Sequence, residues 1–209
     1  MSDVARDRAR LLELLRDRSF ARKKVILASG RESDFFIDSK QTVHTAEGHV
    51  LVGALLFDAL LGLPKHEAVA GVELGGCPLA SAVAYASFQH YEAYSAAAAR
   101  VSVLGPDAPA PPLGALDAIY VRKDAKDHGS RRLLEGDSRL ARGARVAIVE
   151  DVITTGGSTL KAAAKLRDAG YAVVGVVAVV DRLEGGREAI EAEKLPVVAL
   201  YTRRDFIPD

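Results

Sequence analysis

The stretch from Arg145 to Val180 constrains the fold of this chain more than any other. Val146-Ala147-Ile148-Val149 reads as a fully buried strand and Val152 to Gly157 as a loop. Ser158 to Ala169 reads as a helix closed by Gly170, and Val173 to Val180 as an unbroken apolar strand. Strands without polar alternation belong in a parallel sheet covered on both faces, because a sheet with one wet face shows a polar residue at every second position. The expected fold class is therefore α/β, with a central, mainly parallel sheet flanked by helices.

The remaining segments fit that plan. Asp3 to Arg18 carries Leu11, Leu12, Leu14 and Leu15 among charges and predicts an amphipathic helix. Lys24 to Ala28 and Phe35 to Asp38 predict two short strands joined by Ser29-Gly30-Arg31-Glu32-Ser33. Thr45 is placed to cap a helix running towards Leu61. Ala68 to Val72 predicts a strand, and Pro78 opens a helix through Leu79, Val83 and Ala86. Ala96 to Pro112, rich in Ala and Pro, reads as an excursion at a sheet edge with a short strand at Arg100 to Leu104. Ala118 to Val121 is a further strand, Arg122 to Arg142 is too charged to be core, and Gly185 to Ala192 and Pro196 to Leu200 supply a last helix and strand. No linker interrupts these elements, so residues 1–209 read as a single domain.

Composition narrows the function. Lys and Arg number 28 against 28 Asp and Glu, a net charge of zero that argues against a dedicated nucleic-acid binder. Cys77 is the only cysteine, so neither a disulfide framework nor a Cys-rich zinc site exists within one chain. No segment approaches the roughly 18 consecutive apolar residues of a membrane span. Met1 to Arg10 mixes charges and lacks the apolar stretch of a secretory signal. The expected setting is soluble and cytoplasmic, away from membranes.

Two segments carry chemistry. Glu150-Asp151-Val152-Ile153-Thr154-Thr155-Gly156-Gly157-Ser158-Thr159 joins a buried strand to a helix, at the end of an open sheet where ligands bind. Its later half suits a phosphate: two glycines permit close backbone approach, hydroxyls donate, and the helix start presents N–H groups. The acids at its entrance would repel a phosphate placed against them. They suit a ligand offering hydroxyls there, such as a ribose with its phosphate seated one loop further on, or a ligand bridged by a metal ion. Tyr120-Val121-Arg122-Lys123-Asp124-Ala125-Lys126-Asp127-His128-Gly129 leaves another strand and gathers Arg122, Lys123, Lys126 and His128. In a neutral protein this is a local site for a polyanion, on a segment able to act as a lid.

Weaker signals surround these. Gly71 to Gly76 is either a second set of phosphate-facing N–H groups or an ordinary turn. Phe35 and Phe36 offer rings to a planar ligand, although neighbouring aromatics in a strand commonly put one into the core. Arg182 follows a strand and shares the sheet edge of the acids. Cys77 has no activating base and reads as a packing residue.

Val149-Glu150-Asp151-Val152-Ile153-Thr154-Thr155-Gly156-Gly157-Ser158 resembles the phosphoribosyl pyrophosphate (PRPP) motif of type I phosphoribosyltransferases. The basic segment Tyr120 to Gly129 is similar to the catalytic loop of the orotate branch of that family, and Ser29 to Asp38 resembles its N-terminal hood. The resemblance extends from about Val25 to about Glu193. It implies transfer of the phosphoribosyl group of PRPP to orotate, giving orotidine 5′-monophosphate and pyrophosphate in pyrimidine (UMP) biosynthesis. Mg²⁺ is the implied cofactor, held mainly by PRPP and water rather than by a protein metal site. A hood of about residues 1–42 would pack over the active site.

Residue by residue, the resemblance gives the PRPP site Glu150, Asp151, Val152, Ile153, Thr154, Thr155, Gly156, Gly157 and Ser158, with Arg122, Lys123, Lys126 and His128 on the diphosphate. Lys126, Asp151 and Glu150 are the implied catalytic residues, and Thr154, Arg182, Phe35 and Phe36 the implied orotate contacts. The implied assembly is a homodimer with the catalytic loop shared across its interface. Two departures stand out: some members carry a lysine where this chain has Leu74-Gly75-Gly76, and another where it has Ala28. The alternatives are a phosphoribosyltransferase for another nucleobase and a PRPP-binding regulator without turnover.

Overall fold

The computed structural model describes residues 3–26, 32–101, 113–124 and 132–207. Helix α1 (Asp3–Arg18) buries Leu11, Leu14 and Leu15 and turns its charges outward. It leads into an antiparallel ribbon of β1 (Phe20–Ile26) and β2 (Glu32–Ile37), which starts with Phe20 opposite Ile37. A short helix, α2 (Lys40–Val43), precedes α3 (Ala46–Leu60). Thr45 caps α3 as expected, its hydroxyl accepting from the Gly48 N–H at 3.1 Å.

Six strands form the main sheet: β3 (Ala68–Val72), β4 (Asp117–Val121), β5 (Leu134–Glu135), β6 (Arg145–Ile153), β7 (Ala172–Asp181) and β8 (Val197–Thr202). Their spatial order is β5-β4-β3-β6-β7-β8. Only β5 runs antiparallel to its neighbour. Three helices link the strands: α4 (Gly76–Val101), α5 (Gly157–Asp168) and α6 (Gly186–Ala192).

Along β6 successive side chains enter two different cores. Ala147 and Val149 meet Leu56, Leu60, Leu79 and Val83 of α3 and α4, whereas Val146 and Ile148 meet Ala162, Leu166 and Ile190 of α5 and α6. All four strand residues are fully buried. That is the double cover expected from the unbroken apolar runs, now with a cause for each residue. Leu11, Leu15, Phe35 and Val43 share the first of these cores, so the N-terminal segment packs on the α3–α4 layer.

Several boundaries differ from the sequence reading. Strand β1 begins at Phe20 rather than Lys24 and β2 at Glu32 rather than Phe35, because the two strands pair from Phe20 opposite Ile37 to Ile26 opposite Glu32. Helix α4 continues through Ala96 to Val101, because an alanine-rich run is the strongest helix former, and Arg100 is helical rather than in a strand. Residues 102–112 lie outside the described residues. Strand β6 extends to Ile153, where Val152 and Ile153 pair with Val180 and Asp181 of β7, so Glu150 and Asp151 lie on the strand and not at a loop entrance. Within the polar stretch, Leu134 is buried and forms β5 beside Val121.

Parallel strands deliver their connections to one edge. The turn after β3 (residues 73–75), the segment after β4 (residues 122–124), the loop after β6 (residues 154–156) and Arg182 after β7 all meet there.

Candidate active site

Glu150 and Asp151 follow each other on a strand, and so point to opposite sides of it. Glu150 is only 4 % exposed and turns towards α5, where Ser158 Oγ and Thr159 Oγ1 donate to its Oε2 at 3.3 and 3.2 Å. Burial, helped by the neighbouring Asp151 charge, pushes the Glu150 carboxyl up to about 8. The raised value favours the protonated form of Glu150, which lessens the repulsion that its carboxylate would direct at a phosphate.

Asp151 faces the other way, half-buried. Ser39 Oγ donates to its Oδ2 at 2.9 Å, and the Val152 N–H donates to its Oδ1 at 2.9 Å. The turn after β3 lies against the same carboxylate. A Cβ on Gly75 would stand 2.3 Å from Asp151 Oδ2, so only glycine permits this approach. Both Asp151 oxygens are thus oriented, with the carboxylate held at the sheet edge.

The phosphate-suited loop follows immediately. Thr154 is half-buried, while Thr155, Gly157 and Ser158 are exposed. Gly156 takes φ 78° as N-cap of α5, a left-handed conformation that glycine adopts without strain. Its carbonyl accepts the first helical bond, from Leu160 N at 2.9 Å. The N–H groups of the first turn, which have no partner inside a helix, are the ordinary seat of an anion.

Across β3, the end of β4 carries Arg122 and Lys123. Together with Ser158, Lys161 and Lys165 of α5 they line a cavity of about 360 Å³. The Arg122 guanidinium lies 3.9 Å from Glu135 of β5. Lys126 and His128 lie outside the described residues. The acids of β6 and the cations of β4 stand two strands apart, about 10 Å.

On the other flank, Arg182 is 8 % exposed, donates from Nη2 to the Phe35 carbonyl at 2.8 Å and pairs with Glu184 at 2.9 Å. It ties β2 of the N-terminal segment to the end of β7. The expectation that both Phe35 and Phe36 offer their rings to a ligand needs correction. Phe35 is fully buried, with ring centroids 5.2 Å from Phe20 and 5.6 Å from Phe206. Its ring belongs to the core, and Arg182 meets both its carbonyl and its ring, with the guanidinium carbon 5.4 Å from the ring centre. Phe36 is half-buried, with Lys23 Nζ 3.9 Å from its ring centre. Burial raises the Cys77 thiol to about 11, in keeping with a packing role.

A phosphoribosyl transferase domain is matched over residues 64–195. An orotate phosphoribosyltransferase of Sorangium cellulosum is 63 % identical over 205 residues, covering 98 % of this chain and 95 % of the relative. The chain belongs to the orotate phosphoribosyltransferase family. Solved members of the family share its fold. The Mycobacterium tuberculosis orotate phosphoribosyltransferase in complex with Fe(III) dicitrate superposes with a TM-score of 0.71 at 36 % identity, covering 96 % of this chain and 99 % of that one. The same enzyme in complex with PRPP gives 0.68 at 33 %, covering 96 % and 98 %. The type I fold read from the sequence is thereby established.

Three side chains that the structure brings to this edge escape motif reading: Ser39, Lys165 and Glu73, the last named only as part of a turn valued for its N–H groups. Lys165 had a signal, since Ser158, Lys161 and Lys165 recur at three and seven residues and so share one face of α5. Ser39 and Glu73 had none, because their partners are 112 and 50 positions away.

Proposed function

We propose that this chain transfers the phosphoribosyl group of PRPP to orotate, yielding orotidine 5′-monophosphate and pyrophosphate for pyrimidine biosynthesis. The observation that carries the reading is the pairing of an oriented acid on β6 with cations on β4 at one sheet edge, separated by about the length of a ribosyl diphosphate.

The bond between the ribose anomeric carbon and the diphosphate oxygen breaks as the orotate ring nitrogen attacks that carbon. Positive charge grows on the sugar and negative charge on the leaving group. Asp151, with Glu150 behind it, meets the first, while Arg122 and Lys123 meet the second, and the family resemblance assigns Lys126 and His128 to the same diphosphate. Opposite charges are thus stabilised together where they develop. The end of β6 at Val152 and Ile153, the loop Thr154, Thr155 and Gly156, and the start of α5 at Gly157 and Ser158 seat the 5′-phosphate. Arg182 pairs with the orotate carboxylate and Thr154 holds the ring, under an N-terminal hood of about residues 1–42. No covalent enzyme intermediate is required.

Among the described residues no group of three or more His, Cys, Asp or Glu side chains is placed to cage a metal ion. The half-exposed Asp151 fits a Mg²⁺ ion bound chiefly through substrate oxygens and water, as that ion prefers. When bound, Mg²⁺ supplies charge neutralisation on the diphosphate.

A homodimer that shares its catalytic loops completes the reading. Helix α4 leaves Tyr85, Phe88 and Tyr91 exposed at three-residue spacing, an aromatic face suited to a second copy. No helix among the described residues is long and apolar enough to cross a membrane.

The test is pyrophosphate release from PRPP with orotate, uracil, adenine and hypoxanthine in turn, with and without Mg²⁺. Release with orotate alone, dependent on Mg²⁺, is expected. Release with a purine would assign a different base, and tight PRPP binding without release from any base would make the chain a regulator.

A further inference from the structure

The root of the basic segment has fixed partners for its main chain. The Val121 carbonyl accepts from the Glu73 N–H at 2.9 Å, and the Arg122 N–H donates to the Leu133 carbonyl at 2.9 Å. The Lys123 N–H donates to Glu73 Oε2 at 2.7 Å. Lys165 Nζ donates to the carbonyls of Arg122 at 2.7 Å and Lys123 at 2.6 Å. Water would satisfy peptide groups at an exposed strand end without help. Ordering a long lysine side chain costs rotamer freedom. Here that side chain crosses from α5 to two adjacent carbonyls, an arrangement with no bearing on the core.

We propose that Lys165 and Glu73 clamp the root of the basic segment from two separate elements, and that Lys165 is a positioning residue for the transfer reaction. The inference rests on the reading that this segment serves the diphosphate. Glu73 belongs to the turn whose Gly75 abuts Asp151, so one side of the clamp fixes the cations relative to the acid. Lys165 lies on the α5 face that begins with Ser158, so the other side fixes them relative to the 5′-phosphate seat. The helix that holds one end of PRPP thereby also sets the groups that meet its other end, a preorganisation that matters most in the transition state. The clamp also offers a means of ordering cations in a chain without a lysine at Leu74-Gly75-Gly76.

The test compares Lys165→Met, Lys165→Arg and Lys65→Met in the full chain, varying PRPP and orotate separately. Lys65 is exposed just before β3, at the opposite edge of the sheet, and controls for simple loss of charge. Lys165→Met is expected to lower kcat at least tenfold and raise the KM for PRPP. Its KM for orotate should stay within twofold and its melting temperature within a few degrees. Lys165→Arg should recover most of the loss, and Lys65→Met should stay within threefold of wild type. Three results would overturn the clamp: kcat/KM for PRPP within twofold of wild type in Lys165→Met, an equal loss in Lys65→Met, or a parallel rise in the orotate KM with a collapse in melting temperature. Lys126→Ala, run alongside, separates the clamp from the diphosphate site it serves. If it loses turnover while Lys165→Met does not, only the clamp fails; if Lys126→Ala is also silent, the diphosphate reading fails and takes the clamp with it.

Discussion

Ser39 donates its hydroxyl to Asp151 at 2.9 Å, joining the end of the N-terminal segment to the acid at the centre of the site across 112 positions of chain. The serine is fully buried, so no water replaces the bond without rearrangement. Ser39→Ala should leave Asp151 Oδ2 without its donor and the carboxylate held at Oδ1 alone. A hydrogen bond to a charged group contributes about 1.5–3 kcal/mol. The expected loss in kcat/KM for PRPP is therefore about tenfold or more, measured by steady-state kinetics with a melting curve as control. Unchanged kinetics would remove Ser39 from the site.

Gly75→Ala tests the contact on the other side of the same carboxylate. The added Cβ would lie 2.3 Å from Asp151 Oδ2, and either the turn or the acid must shift. A misplacement of about 1 Å costs on the order of a hundredfold in rate. At least a tenfold fall in kcat is expected. Circular dichroism should be unchanged, because Gly75 is at the sheet edge and outside both cores.

The buried Glu150 makes stability depend on pH. Its carboxyl sits at about 8 in the folded protein against an ordinary value of 4.5, so the fold prefers the protonated form. That contribution is complete below 4.5 and disappears as pH rises through 8. Glu150→Gln, which keeps the shape without the charge, should raise the melting temperature relative to wild type at pH 9. The gain should shrink towards pH 5. A difference that does not vary with pH would show that the carboxyl titrates normally.

Much of this site was legible because its chemistry is local. The acids, threonines and glycines from Glu150 to Ser158 are contiguous, and the apolar strand before them fixes which sheet edge they reach. The extent of β6 was not legible: Glu150 and Asp151 interrupt the apolar pattern, and only pairing with β7 shows that the strand runs on to Ile153. Alternation put one of Phe35 and Phe36 inside, but it took Phe20 and Phe206 to decide which, and both are remote in sequence. The alanine-rich run from Ala96 to Arg100 was misread because the prolines that follow it suggested an irregular segment.

Arg182 should separate orotate binding from PRPP binding. Arg182→Lys keeps the charge but loses the guanidinium fork that serves the Phe35 carbonyl and Glu184 together. The KM for orotate is expected to rise about tenfold while that for PRPP stays within threefold. Equal rises in both would point to a general loss of structure at the sheet edge.

The central claim is that an oriented carboxylate beneath the ribose stabilises the charge that develops as pyrophosphate leaves. Its most direct test is PRPP-dependent consumption of orotate by Asp151→Asn, which retains an acceptor for Ser39 but loses the charge. A kcat reduced about a hundredfold, the scale of losing one group aimed at transition-state charge, with the melting temperature retained, is the predicted result. Turnover within threefold of wild type would contradict it.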